Sequence, residues 1–190
     1  MPTNSVQVVL IAVISLDGRI ARPGQSGAGF ASAADQIWFR RSLLEFDCSV
    51  MGRRTFGTIR EQVIGRADTK RLRVVMTRDV ATHGQDAMPG ALEFSSDEPG
   101  SILGDLARRG RKKCALLGGG EVYRLFVQAG LVDALWLTLE PVVIGAGTPL
   151  IDGATPETHF RLAETRHLSK DTLLLNYTGH GATPAPLPPA

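Results

Sequence analysis

The chain has 190 residues, of which 43% are hydrophobic and 21% charged, and its formal net charge is +2. That is enough for one domain with a substantial core, and it excludes the concentrated basic face of a nucleic-acid protein. Two cysteines, Cys48 and Cys114, lie in apolar runs with no Cys-x-x-Cys and no histidine nearby, which argues against both a disulfide framework and a metal site.

No apolar run reaches transmembrane length, and no positive segment with a long apolar core opens the chain. A cytoplasmic protein without a membrane partner is expected. The basic cluster Arg108-Arg-Gly-Arg-Lys-Lys113 falls between a helical and a strand pattern and reads as a solvated connection.

Val6 to Ile14 is a nearly continuous apolar run rich in Val and Ile, the pattern of a strand covered on both faces. Ser15-Leu-Asp-Gly18 breaks it as a turn. A loose, glycine-rich loop follows to Ala31, and a loop of that length is usually functional or disordered. Ser32 is a plausible N-cap for a helix carrying Asp35, with Ile37, Trp38, Arg41 and Leu44 at helical spacing. Cys48 to Gly52 is a second strand, and it runs directly into the short helix pattern Arg53 to Ile59.

Leu72 to Met76 is a third strand, ending in Thr77-Arg78. Residues 79–100 are turn-rich, with a short strand at Ala91 to Ser95. Ile102, Leu103 and Leu106 mark a helix. Cys114 to Leu117 is the next strand, followed by three glycines and a helix with Val122, Leu125, Phe126 and Ala129 on one face. Ala134 to Leu139 is a strand, and Pro141 to Ile151 a loop with an apolar segment. Phe160–His167 and Thr172–Thr178 alternate around Ser169-Lys-Asp171 as an antiparallel hairpin. The proline-rich tail, 179–190, reads as a disordered end, leaving 1–178 as the domain.

Strands alternating with helices predict an α/β protein, a three-layer α/β/α sheet that is mostly parallel with an antiparallel hairpin at its end. Ligands of such sheets bind at the carboxyl ends of the strands. Those ends carry Gly52-Arg53-Arg54-Thr55, Thr77-Arg78 and Gly118-Gly119-Gly120. Consecutive glycines admit a ligand close to the backbone, and a helix start favours an anion; the same glycines also suit a plain strand-to-helix turn. Arg53 and Arg54 at a helix start oppose its dipole at a cost of a few tenths of a kcal/mol, which a bound phosphate relieves. With Arg78 they suit phosphate oxygens, or they are exposed surface arginines. Asp35 either complements its helix dipole or, in a dry pocket, holds a proton. His83, His159, His167 and His180 lie in turns, hairpin or tail, away from these ends. Nucleophilic hydrolysis is therefore disfavoured.

Ala34-Asp-Gln-Ile-Trp-Phe-Arg-Arg41 followed by Val50-Met-Gly-Arg-Arg-Thr-Phe56, and then Gly118-Gly-Gly-Glu-Val-Tyr123, resembles the acid-bearing helix and two nucleotide turns of the dihydrofolate reductase-like superfamily. Ser15-Leu-Asp-Gly-Arg-Ile-Ala21, Leu131-Val-Asp-Ala-Leu135 and Pro141-Val-Val-Ile-Gly-Ala-Gly-Thr-Pro-Leu150 are more similar to the reductase domain of riboflavin-biosynthesis deaminase–reductases and its standalone relatives. The chain has Gly27-Ala-Gly-Phe30 where folate reductases carry Met-Pro-Trp, and Gly118 where the riboflavin reductases carry Glu.

This resemblance implies NADPH. Gly52, Arg53, Arg54 and Thr55 hold its phosphates, and Thr77 and Arg78 its 2′-phosphate. Gly118, Gly119, Gly120, Glu121 and Val122 back the pyrophosphate and nicotinamide side, while backbone groups of Val13 and Ile20 meet the nicotinamide amide. Asp35 faces a small-molecule substrate and assists its protonation. The expected activity is reduction of a riboflavin-pathway ribosylamino-pyrimidine. Dihydrofolate or a pterin is the alternative substrate, and a non-catalytic NADPH-binding module the alternative of another kind. Relatives of the riboflavin type imply a homodimer built through the Phe160–Thr178 hairpin.

Overall fold

The computed structural model describes residues 6–182 and 184–188. In chain order the elements are β1 (Gln7–Ser15), β2 (Arg19–Ala21), α1 (Ala33–Ser42), β3 (Cys48–Gly52), α2 (Arg53–Thr58), α3 (Arg60–Gly65), β4 (Leu72–Met76), β5 (Leu92–Ser95), α4 (Pro99–Arg108), β6 (Lys113–Leu116), α5 (Gly120–Gln128), β7 (Ala134–Glu140), β8 (Thr148–Pro149), β9 (Phe160–His167) and β10 (Leu173–Gly179). Eight strands form one sheet in the order β5-β4-β3-β6-β1-β7-β10-β9. The pairings from β5 to β7 are parallel, and the last two, to β10 and β9, are antiparallel.

The alternation of side chains along each strand sorts them into two layers of core. One face gathers Val8, Leu10, Val50, Val74 and Leu116 beneath Ile102 and Leu106 of α4 and Val122, Tyr123 and Phe126 of α5. The other gathers Val9, Ile11, Ala115 and Trp136 beneath Trp38 of α1, and Met51 and Val75 beneath Phe56 and Val63 of α2 and α3. This is the expected three-layer α/β/α architecture of the dihydrofolate reductase-like kind. Trp136 is fully buried, with Trp38 and Phe46 edge-on at 5.9 and 5.4 Å. Truncating such a side chain costs about 3–5 kcal/mol, so this cluster anchors α1 to the sheet.

Several local expectations change. The Ser15–Ala31 segment is not all loop: Arg19–Ala21 pairs with Thr148–Pro149 as a two-stranded ribbon, too short to leave a period in the sequence. Helix α3 has no strong pattern and went unpredicted. On α1 the buried residues are Asp35, Trp38 and Ser42, while Ile37 is exposed, as is Leu44 in the turn just past the helix. On α5 Ala129 is exposed and Tyr123 takes its place in the core.

The tail also departs from a disordered end over its described part. Gly179 closes β10, and Ala185 and Leu187 are buried in the Trp136 cluster. The Ala185 carbonyl accepts from Trp136 Nε1 at 3.1 Å and Asn176 Nδ2 at 2.9 Å, and Arg166 donates to the Pro188 carbonyl at 2.6 Å. Prolines read as disorder in composition, but here they form a strap that satisfies buried donors. Residues 1–5, 183, 189 and 190, which belong to the domain and tail expectations, lie outside the described residues. No helix among the described residues is long and apolar enough to cross a membrane.

Candidate active site

A cleft of about 1740 Å³ opens on the α1 side of the sheet and reaches the carboxyl ends of β1, β3, β4 and β6. Its position follows from unequal strand lengths. Strand β6 pairs with β1 only over Gln7–Leu10, whereas β7 follows β1 to Ser15. Beyond Leu10 the β6-facing edge of β1 therefore has no strand partner. The Tyr123 hydroxyl fills its first gap, donating to the Ile11 carbonyl at 2.6 Å, and burial raises the phenol pKa and keeps it protonated. Val13, two residues on, turns its backbone groups to the same edge, beside the cleft. Ile20, on β2, lines the cleft as well.

The glycine turn has two kinds of glycine. Gly118 has φ +87°, and a Cβ there would meet the Tyr123 ring at 2.8 Å. A Cβ on Gly120 would meet the Pro149 carbonyl at 2.6 Å. Both are glycines because the chain packs against itself. Gly119 differs: a Cβ would meet nothing closer than Thr55 Oγ1 at 3.7 Å, so its open side faces the cleft. It is the N-cap of α5 without a side-chain cap, which leaves the first N–H groups of that helix without one. Gly52 caps α2 in the same way and donates to the Gly118 carbonyl at 2.6 Å, bringing the two helix starts together.

Around these starts the charges are already paired. Arg78 reaches Glu121 at 3.1 Å and Arg54 reaches it at 3.8 Å. Arg53, Thr55, Thr77 and Val122 line the same cleft. Thr77 is buried, its backbone N–H on the Ser95 carbonyl and its hydroxyl within 3.3–3.4 Å of the Asp79 backbone. The turn Ala81–Asp86 folds back beside it, so His83, expected to lie elsewhere, lines the cleft. Its ring stacks on Phe94 at 4.9 Å and meets Phe56 edge-on. Asp86 holds that turn through Arg60, an ion pair that keeps its carboxyl below the usual range.

Across the cleft, Asp35 sits in the first turn of α1 and is 6% exposed. Burial pushes its carboxyl up to about 6, the Thr138 hydroxyl opposes this, and the Glu140 charge adds to it. Thr138 is fully buried, with its hydroxyl directed at the Asp35 carboxyl. Thr138 and Glu140 alternate on β7, opposite Val13 and Ser15 of β1. Neither was singled out from the sequence, although two polar residues at alternate positions of an apolar strand are a readable sign of one polar spot on its face. The cleft also extends along β4 to Arg71 and Arg73. Both are partly buried, and among the described residues neither lies within ion-pair distance of a carboxylate.

The mostly parallel sheet with its terminal antiparallel hairpin agrees with the fold of related proteins. The RibD C-terminal domain family matches residues 6–174, and the chain belongs to that family. The uncharacterised protein YyaP of Bacillus subtilis (strain 168) is 24% identical over 189 residues, 94% of this chain and 100% of YyaP. A pyrimidine reductase-like protein from Corynebacterium diphtheriae superposes with a TM-score of 0.70 at 17% identity, over 93% of this chain and 92% of that one. A diaminohydroxyphosphoribosylaminopyrimidine deaminase/5-amino-6-(5-phosphoribosylamino)uracil reductase from Thermotoga maritima does so with a TM-score of 0.70 at 18% identity. The match covers 92% of this chain and 57% of that longer one. At these identities the structural likeness speaks for the fold.

Proposed function

We propose that the protein is an NADPH-dependent reductase of a small heterocycle, of the ribosylamino-pyrimidine type found in riboflavin biosynthesis. The observation that carries this reading is the pairing of a buried Asp35, its carboxyl pushed up to about 6, with a phosphate-suited turn on the other side of one cleft. Family membership and the reductase named in the Thermotoga maritima relative support it.

The chain's residues fit a dinucleotide. The open side of Gly119 and the uncapped start of α5 suit a pyrophosphate, with Arg53, Arg54 and Thr55 beside them. Arg78 and Thr77 suit a 2′-phosphate, and the unpaired edge of β1 at Val13 suits a carboxamide. When bound, the reduced nicotinamide supplies a hydride. Asp35 holds the matching proton and delivers it to the substrate heteroatom as the adjoining carbon is reduced. Thr138 steadies the Asp35 carboxyl from behind, and Arg71 and Arg73 suit an anionic tail. Loop 22–31 and the β2–β8 ribbon flank the cleft and exclude water.

Titration of the purified protein with NADPH and with NADH, followed by nicotinamide fluorescence, tests the reading. Selective NADPH binding, followed by NADPH oxidation with a ribosylamino-pyrimidine acceptor, is the expected result. Oxidation with dihydrofolate instead assigns a pterin substrate. Binding without turnover of either acceptor assigns a non-catalytic module, and binding of neither nucleotide overturns the cofactor site.

A further inference from the structure

Glu140 is a buried carboxylate, 3% exposed, to which the reductase reading gives no task. It ends β7, and its two oxygens reach two other parts of the chain. Oε1 accepts the Ser32 backbone N–H at 2.8 Å, and Oε2 accepts the Thr172 hydroxyl at 3.0 Å. The end of β7, the start of α1 and the turn into β10 are thereby tied at one carboxylate.

The bond to Ser32 matters because of what it replaces. Ser32 is the N-cap of α1, and its hydroxyl accepts the Asp35 N–H at 3.2 Å. Asp35 is the third residue of that helix. Ser-x-x-acid at this spacing is the capping box, in which the acid at the third position reaches back to the backbone N–H of the N-cap residue. Here that N–H is already taken by Glu140. The Asp35 carboxyl, released from its local partner, lies over Thr138, two residues before Glu140 on the same strand face.

We propose that Glu140 is the positioning residue for Asp35: by occupying the Ser32 N–H from the neighbouring strand, it frees the acid of α1 from the capping box and turns it into the cleft. Its negative charge, beside a second carboxyl in one buried site, also keeps the proton on Asp35. The other groups facing this spot do not offset that charge. Val13 and Leu117 on β1 and after β6 are apolar, and Ser15 spends its hydroxyl on Asp17, which Arg19 approaches at 3.8 Å. Lys170 and Asp171 in the turn before β10 are exposed, and Arg40 and Arg41 lie in the last turn of α1. The consequence for turnover rests on the reductase reading; the placement of Asp35 does not.

The test follows the Asp35 carboxyl by carbon-13 NMR against pH in protein with labelled aspartate, in the parent, Glu140→Gln and Glu140→Ala. Glutamine keeps an acceptor for Ser32 and removes the charge, so Asp35 titrates lower than in the parent. Alanine removes both. The Asp35 carboxylate then takes the Ser32 N–H, titrates lower still, and the Ser32 amide shift follows that titration. An Asp35 titration unmoved in Glu140→Gln, or a Ser32 amide in Glu140→Ala that ignores it, overturns the proposal. These readouts need no acceptor, so they separate failure of this inference from failure of the reductase reading. In turnover, Glu140→Ala lowers kcat at unchanged NADPH affinity, and Glu140→Gln restores part of it.

Discussion

Arg54 and Arg78 have side chains 74% and 94% exposed, and Glu121 between them is 45% exposed. Asp35, on the other side of the same cleft, and Thr138 and Glu140 behind it are 6%, 0% and 3% exposed. The two groups carry similar chemistry in opposite settings. Exposed ion pairs contribute little, typically below about 1 kcal/mol, and exchange partners readily. An arriving phosphate can therefore take Arg78 and Arg54 from Glu121 at small cost. The buried group has no such freedom. Its partners are fixed by strand register and helix capping, and its protonation is set by burial. One side can change its partners at little cost; the other keeps them fixed.

The sharpest way to break this comparison is Asp35→Asn. If Asp35 delivers the proton, kcat falls by about 10²- to 10⁴-fold, while NADPH affinity measured by fluorescence stays the same. A loss of affinity instead would place Asp35 in binding. Next in size is Arg78→Ala. Losing a charge-assisted contact to the 2′-phosphate corresponds to roughly 1.5–3 kcal/mol, or about 10- to 100-fold in NADPH affinity, with NADH affinity unmoved. Equal losses for both cofactors would remove the 2′-phosphate assignment.

A third effect is on stability. Burial pushes the Asp35 carboxyl up to about 6 in the fold against 3.8 for an ordinary aspartate. The folded state therefore binds its proton more tightly than the unfolded chain does. That stabilisation is complete below pH 3.8 and is lost as pH rises through about 6, an effect of roughly 3 kcal/mol. Denaturant melts of the parent between pH 4 and 8, compared with Asp35→Asn, isolate it: the variant lacks this loss.

Much of the fold was legible because parallel strands buried on both faces leave apolar runs that survive any local irregularity. Val6–Ile14 and Leu72–Met76 are of this kind, and so is the strand-to-glycine junction at Gly118. What escaped was local and short. Arg19–Ala21 and Thr148–Pro149 form a ribbon with too few residues to alternate. The tail prolines have the composition of disorder, yet buried donors at Trp136 and Asn176 select a conformation for them. In the site, residues marked by a motif or a glycine turn were readable one by one. Thr138, Glu140 and His83 were not, because their importance comes from register and from the fold-back of a turn. Gly118 carries a similar lesson: it is demanded by Tyr123, which lies five residues along the chain.

Asp17 has a bearing on how two segments beside the cleft move. Its carboxylate accepts the Ile144 and Gly145 backbone N–H groups at 3.0 and 2.8 Å and the Ser15 hydroxyl at 2.7 Å. Those bonds, the Ile144 one foremost, draw its pKa down to about 2. The turn after β1 and the segment before β8 are thus riveted at one point, and the β2–β8 ribbon joins them at a second. Two fastenings between two segments remove their freedom to slide past one another. They are held as one body, so hydrogen exchange at Gly18 and Gly145 should speed or slow together.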